Sequence, residues 1–165
     1  MPHIVGIVET APLANQAIAE LLSSGLTKDD ISLVMSDKGK ARFSAATKDS
    51  GDRAIVDTAI GAGTGSVLGA LLAALTTAGA IIIPGASLLV VGPIIAMLTG
   101  AGAGAVIGGL TGALSAAGIS AIEANKYENE VKAGKAVIIA HTKNDAQTQT
   151  ARRILMAEGA NIRAA

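Results

Sequence analysis

Apolar residues along this chain recur first with the period of a strand, then with that of a helix, and the alternation resumes after a long interruption. His3 to Glu9 is a short β-branched run. Behind Thr10 and Pro12, Ala14, Ala17, Ile18, Leu21 and Leu22 recur at helical spacing until Gly25. Pro suits a first helical turn, Thr can cap it and Gly ends it, so a strand followed by a helix is predicted. Ile31 to Met35 predicts a second strand, and Ser36 to Arg53 reads as a polar surface connection. From Gly118 onward the logic repeats. Ser120 caps a helix through about Ala133, whose turns are marked by Ile122, Lys126, Tyr127, Glu130 and Val131 and which Gly134 closes. Ala136 to Ala140 predicts a strand. Asn144 then caps a helix to about Glu158, with Ala151, Ile154 and Leu155 inward and Gly159 at its end, and Ala160 to Arg163 forms a last short strand.

Neither end has enough sheet to be stable alone, so the two are expected to fold on each other. The fold class expected is α+β: a ferredoxin-like split α/β domain made of residues 1–53 and 119–165, opened by an inserted helical hairpin over 54–118. Closure of the split domain brings Arg53 near Ile119, so that a hairpin leaves and re-enters at one place.

The interruption is an internal repeat. Ile60 to Leu75 aligns with Thr99 to Leu114, and nearly every position is identical or an exchange of small for small or large for large. Glycines fall every fourth residue in both copies, at Gly61, Gly65 and Gly69 and again at Gly100, Gly104, Gly108 and Gly112. Each glycine inside a helix costs about 1 kcal/mol relative to alanine. Close backbone approach by a neighbouring helix recovers that loss, because residues four apart share one face. The adjoining face carries Val67, Leu68, Leu71 and Leu75 in the first copy and Val106, Ile107, Leu110 and Leu114 in the second. The small faces are expected to mediate self-association. The large ones form an outer apolar surface that lipid or further copies of the protein must cover.

Between the copies, Pro84-Gly85 and Gly92-Pro93 are breakers, so the tip of the hairpin is placed near 80–93. An apolar tip implies burial in a bilayer or in an assembly. Each arm, at about twenty residues, is long enough to cross a hydrocarbon core. Lys38, Lys40, Arg42, Lys48 and Arg53 precede it as a cytoplasmic flank would. No secretory leader is visible, so the expected location is the cytoplasm, free or at the inner face of the membrane.

Composition removes several classes of function. Thirteen basic residues balance thirteen acidic ones, which gives no field to attract nucleic acid. Cysteine is absent, which excludes disulfides, thiolate metal sites and cysteine nucleophiles. The two aromatics, Phe43 and Tyr127, offer no stacking platform. No Asp, Glu, Lys or Arg lies between Asp57 and Glu123, and those two acids are accounted for by helix N-termini. The glycine spacing is not that of a dinucleotide fingerprint, and Gly39-Lys40 and Gly134-Lys135 are each followed by Ala rather than by the Ser or Thr of a phosphate loop. His3 and His141 lie in strands expected to be neighbours. They would need a carboxylate such as Glu9 to hold a metal, and edge histidines without a ligand are the plainer expectation. No catalytic set, metal or cofactor is therefore expected. A carrier whose hairpins hold an apolar small molecule, a lipid or a quinone, is the alternative to a self-associating structural protein.

The whole chain resembles the glycine-zipper general stress proteins of bacteria, of the heat-induced type. The resemblance rests on Gly6 with Ala14, Ala17, Ile18 and Leu21, on Ile83-Pro84-Gly85 and Gly92-Pro93, and on the run from Gly108 to Leu114. It continues through Gly118-Ile119, Tyr127-Glu128, Val131 and Gly134. It implies a stress-linked protein without catalytic residues.

Overall fold

The computed structural model describes residues 3–41, 80–83, 88–95, 109–112, 114–115, 119–158 and 160–164. They form a mixed α+β fold around one six-stranded sheet. In chain order the regular elements are β1 (His3–Val8), α1 (Ala11–Ser23), a 3₁₀ turn (Lys28–Asp30), β2 (Ile31–Ser36), β3 (Ala80–Ile83), β4 (Leu88–Val91), α2 (Ala121–Lys132), β5 (Ala136–His141), α3 (Asp145–Ala157) and β6 (Asn161–Ala164). The strand order is β3-β4-β2-β5-β1-β6, and every neighbouring pair is antiparallel.

The capping residues explain where the helices begin and end. Ser120 Oγ accepts from Glu123 N at 3.3 Å, and Asn144 Oδ1 accepts from Gln147 N at 2.8 Å. Thr10 stands at the N-cap of α1, but its side chain makes no capping bond; Pro12 in the first turn and the Ala14 N–H on the Thr10 carbonyl start that helix. Gly25 (φ +96°) and Gly134 (φ +93°) end α1 and α2 in the same way. Leu26 N donates to Leu21 O and Lys135 N to Glu130 O, the backbone closure that a left-handed residue permits.

Both faces of the sheet are covered, which is why β2, β4 and β5 are buried along their whole length and read as nearly continuous apolar runs. On one face, Ile4, Val8, Leu33, Met35, Ile138 and Ala140 pack with Ala14, Ala17, Ile18 and Leu21 of α1 and Ala151 and Leu155 of α3. On the other, Val5, Ile7, Val34, Val90, Val137 and Ile139 pack with Ile94, Leu110, Leu114, Ile119 and the α2 residues Ala124, Tyr127 and Val131.

Two expectations about the middle of the chain are corrected here. Residues 80–93 are not the tip of a helical hairpin. Instead 80–83 and 88–91 form an antiparallel β-hairpin whose second strand pairs with β2, from Leu33↔Val91 to Ser36↔Leu88. The stretch is apolar because β4 is a core strand: Leu88, Leu89, Val90 and Val91 are all buried. Pro84 and Gly85 lie outside the described residues. Gly92 and Pro93 are not at a tip but where the chain leaves β4. The second correction concerns the outer apolar face, because Leu110 and Leu114 are buried against the sheet rather than left for an external partner. Residues 80–83, 88–95, 109–112, 114 and 115 thus share a sheet or a core with the two ends. Val67, Leu68, Leu71, Leu75, Val106, Ile107 and the repeat glycines Gly61, Gly65, Gly69, Gly100, Gly104 and Gly108 lie outside the described residues, as does Asp57.

The polar connection after β2 also begins differently. Residues 37–41 are helical. Ser36 Oγ accepts from Gly39 N at 3.2 Å and donates to Val131 O at 2.6 Å, so this turn is tied to the end of α2.

Candidate functional site

Of the second copy of the glycine repeat, residues 109–112 and 114 are described, and they are helical, as is Ser115 just beyond it. Leu110 and Leu114, four apart, point into the sheet. At 100° per residue Gly112 falls about 200° from each of them, on the opposite side of the helix. It is half-buried. Thr111 is held by α2: its N–H donates to Glu128 Oε2 at 2.9 Å, and its hydroxyl donates to the same oxygen. Glu128 also pairs with Lys132 at 2.6 Å. Burial alone would raise the Glu128 carboxyl, but the hydrogen bonds from Lys132 and Thr111 outweigh it and hold the group below its ordinary value. Leu110 and Leu114 of copy two are therefore fixed on the sheet, and Gly112 is turned away from it.

Polar side chains gather at one end of the same sheet face. His3 and His141 are register partners in β1 and β5, as the sequence anticipates. Their Nδ1 atoms are 3.1 Å apart and the rings meet edge to face, centroids 4.9 Å apart at 81°. His141 Nε2 lies 3.1 Å from Ser32 Oγ, and that oxygen accepts from Ile94 N at 3.1 Å. Burial, then the neighbouring His3, pushes His141 down to about 4, against an opposing pull from Asp30. Asp30 closes a capping box with Thr27 and pairs with Lys143 at 3.0 Å. Burial would raise its carboxyl, but the hydrogen bonds from Thr27 and Lys143 prevail and lower it.

The pair does not recruit the carboxylate a metal would need. Glu9 follows the opposite end of β1 and pairs with Lys135 at 3.0 Å. Among the described residues no group of three His, Cys, Asp or Glu side chains is arranged to hold a metal ion. Ser32 and His141 resemble part of a nucleophile relay, but Ser32 has no exposed surface for a substrate to reach. Glu123 sits in the first turn of α2, accepting from the Ser120 hydroxyl at 2.8 Å, and Tyr127 is buried in the core.

Sequence reasoning passed over Ser32, Asp30 and Lys143. The signal was present for Ser32, a polar residue inside an apolar strand and on the same face as Val34; its partner 109 positions away was not legible. Among the described residues no helix is long and apolar enough to cross a membrane. Compared with models of protein families, with curated proteins and with solved structures, the chain matches none.

Proposed function

We propose that this is a non-catalytic, self-associating structural protein of the stress-response kind, whose glycine-register helices are the surfaces through which copies assemble. In this reading β1-α1-β2 and β5-α3-β6 form a ferredoxin-like split frame. The order β6-β1-β5-β2 and the placement of α1 and α3 against one face of the sheet favour it. The remaining elements, β3, β4, α2 and the helix at 109–115, are additions that cover the other face and extend one edge.

The observation that carries the proposal is the orientation of copy two. Leu110 and Leu114 are used up on the sheet, so the surface left for assembly is the opposite one, to which Gly112 belongs. Glycines repeated at every fourth residue lower helix stability unless a second helix approaches closely. Carrying an apolar small molecule is less favoured, because that reading needs the large faces of both copies to line a cavity and two of those residues pack on the sheet.

Replacing Gly112 by Leu places a bulky side chain on the outward face and leaves Leu110 and Leu114 untouched. The expected result is a loss of the oligomer by light scattering, with circular dichroism unchanged. An oligomer of unchanged mass would overturn the assignment of this face.

A further inference from the structure

The sheet ends on two strands of different character. β6, at one end, reads Asn161-Ile162-Arg163-Ala164, with a polar and a charged residue among four. β3, at the other, reads Ala80-Ile81-Ile82-Ile83, with no charge, no polar group and no proline. Every second residue of an edge strand turns its N–H and C=O away from the sheet, so the strand is a template for another chain unless charge or proline blunts it. The edge at β6 is blunted in this way and the edge at β3 is not. Three consecutive isoleucines also suit an extended, paired strand.

The composition of β3 narrows what fits it. A partner must be extended, to meet the outward N–H and C=O groups, and charges set opposite isoleucines gain nothing from them. Among the described strands of this chain, the one that lies at an edge and carries no charge is β3 itself. We propose that β3 pairs antiparallel with β3 of a second copy, so that two six-stranded sheets continue as one.

Symmetry restricts the register of that pairing. A two-fold axis normal to the sheet sets two copies of one edge strand side by side and antiparallel, and it leaves each face of the sheet on its own side. Opposite residues of an antiparallel pair share a face, and faces alternate along a strand, so the axis passes through a residue and not between two. Through Ile82 it gives three isoleucine pairs: Ile82 opposite Ile82, and Ile81 opposite Ile83 on either side. Through Ile81 it gives one, flanked by Ala80 opposite Ile82. The first register is the one proposed, because β-branched cross-strand pairs are the more stabilising. The pairing closes after two copies, since each chain has one such edge. Pairing of β3 with β6 would instead propagate without end, and Arg163 stands against it. The contact does not rest on the glycine faces; those would join such dimers to one another, and Gly112→Leu would leave the dimer.

Cysteine is absent from the chain, so a single introduced thiol reports the contact. In Ile82→Cys the two thiol-bearing residues face each other across the axis at a Cα separation of about 4.5–5.5 Å, which a disulfide can span. On mild oxidation of the dilute full chain, covalent dimer is expected to form at least about ten times faster from Ile82→Cys than from Ile122→Cys, whose site in the first turn of α2 is exposed. Should Ile82→Cys fail to fold, a mixture of Ile81→Cys and Ile83→Cys, opposite one another in this register, is expected to give the mixed disulfide at the same advantage. The crosslink should persist in the Gly112→Leu background, where the glycine faces no longer act. Equal rates at positions 82 and 122, absence of covalent dimer because a foreign strand or another part of the same chain occupies the edge, or a crosslink lost with Gly112→Leu would each overturn the pairing.

Discussion

Gly92→Ala is expected to destabilise the fold by at least about 4 kcal/mol, among the larger effects a single methyl group can have. Two separate penalties meet at this residue. Its φ of +97° lies in the region that side-chain-bearing residues rarely adopt, and an added Cβ would stand 2.2 Å from Ile31 O and 2.8 Å from the Cα of Ser32. Both of those atoms are backbone of β2, so neither can rotate aside. Gly25 separates the two penalties, because its φ is +96° but nothing lies within 4 Å of the place a methyl would take. Gly25→Ala should therefore cost only about 1 kcal/mol. Urea midpoints of the two variants measure the difference. If Gly25→Ala were as damaging as Gly92→Ala, close approach to β2 would not be what position 92 requires.

Acid should weaken the protein in a window set by His141. The ring is held at about 4 in the folded state against an ordinary value of 6.5. The unfolded chain therefore takes up the proton first as pH falls. Stability is full above about 6.5 and declines from there to about 4, below which this group contributes no further change. The gap between the two values corresponds to roughly 3 kcal/mol, a large part of the stability of a small domain. Asp30 and Glu128, both lowered, act in a different range: their stabilisation is present above their ordinary values of 3.8 and 4.5 and is lost below them. Denaturant midpoints at pH 7.5, 6, 5 and 4 should fall continuously, and His141→Gln should flatten the part between 6.5 and 4.5. A wild-type curve flat over that interval would contradict the burial of a neutral imidazole.

The parts of this fold that were legible in the sequence are those where local chemistry and tertiary packing agree. Ser120 and Asn144 cap their helices and Gly25 and Gly134 close theirs, because these residues satisfy backbone groups within a few positions of themselves. The strands at 31–35 and 136–140 were readable for a similar reason, being β-branched runs of strand length between turn residues. The stretch 80–93 was not. Apolar runs of four residues between Gly and Pro fit a strand of a sheet covered on both sides and a helical tip equally well, and periodicity cannot separate them at that length. What decided it was pairing with β2, a contact between residues more than fifty positions apart.

The glycine register illustrates a different limit. A helical wheel shows that Leu110 and Leu114 share a face, but not what covers it. The sheet was available to do so because β4 widened it, and that widening was the very feature missed. The histidine pair was half legible: the strand pattern placed His3 beside His141, while Ser32 and Ile94, which extend the hydrogen-bonded chain, come from β2 and from the chain after β4. With Leu110 and Leu114 packed on the sheet, the case for assembly rests more narrowly on the small-residue face.

The most direct test of that case is the mass of the intact protein in solution by light scattering at neutral pH. Self-association through the glycine faces predicts a defined multiple of the 16.2 kDa chain that persists on dilution into the micromolar range. A monodisperse species of 16.2 kDa would contradict it.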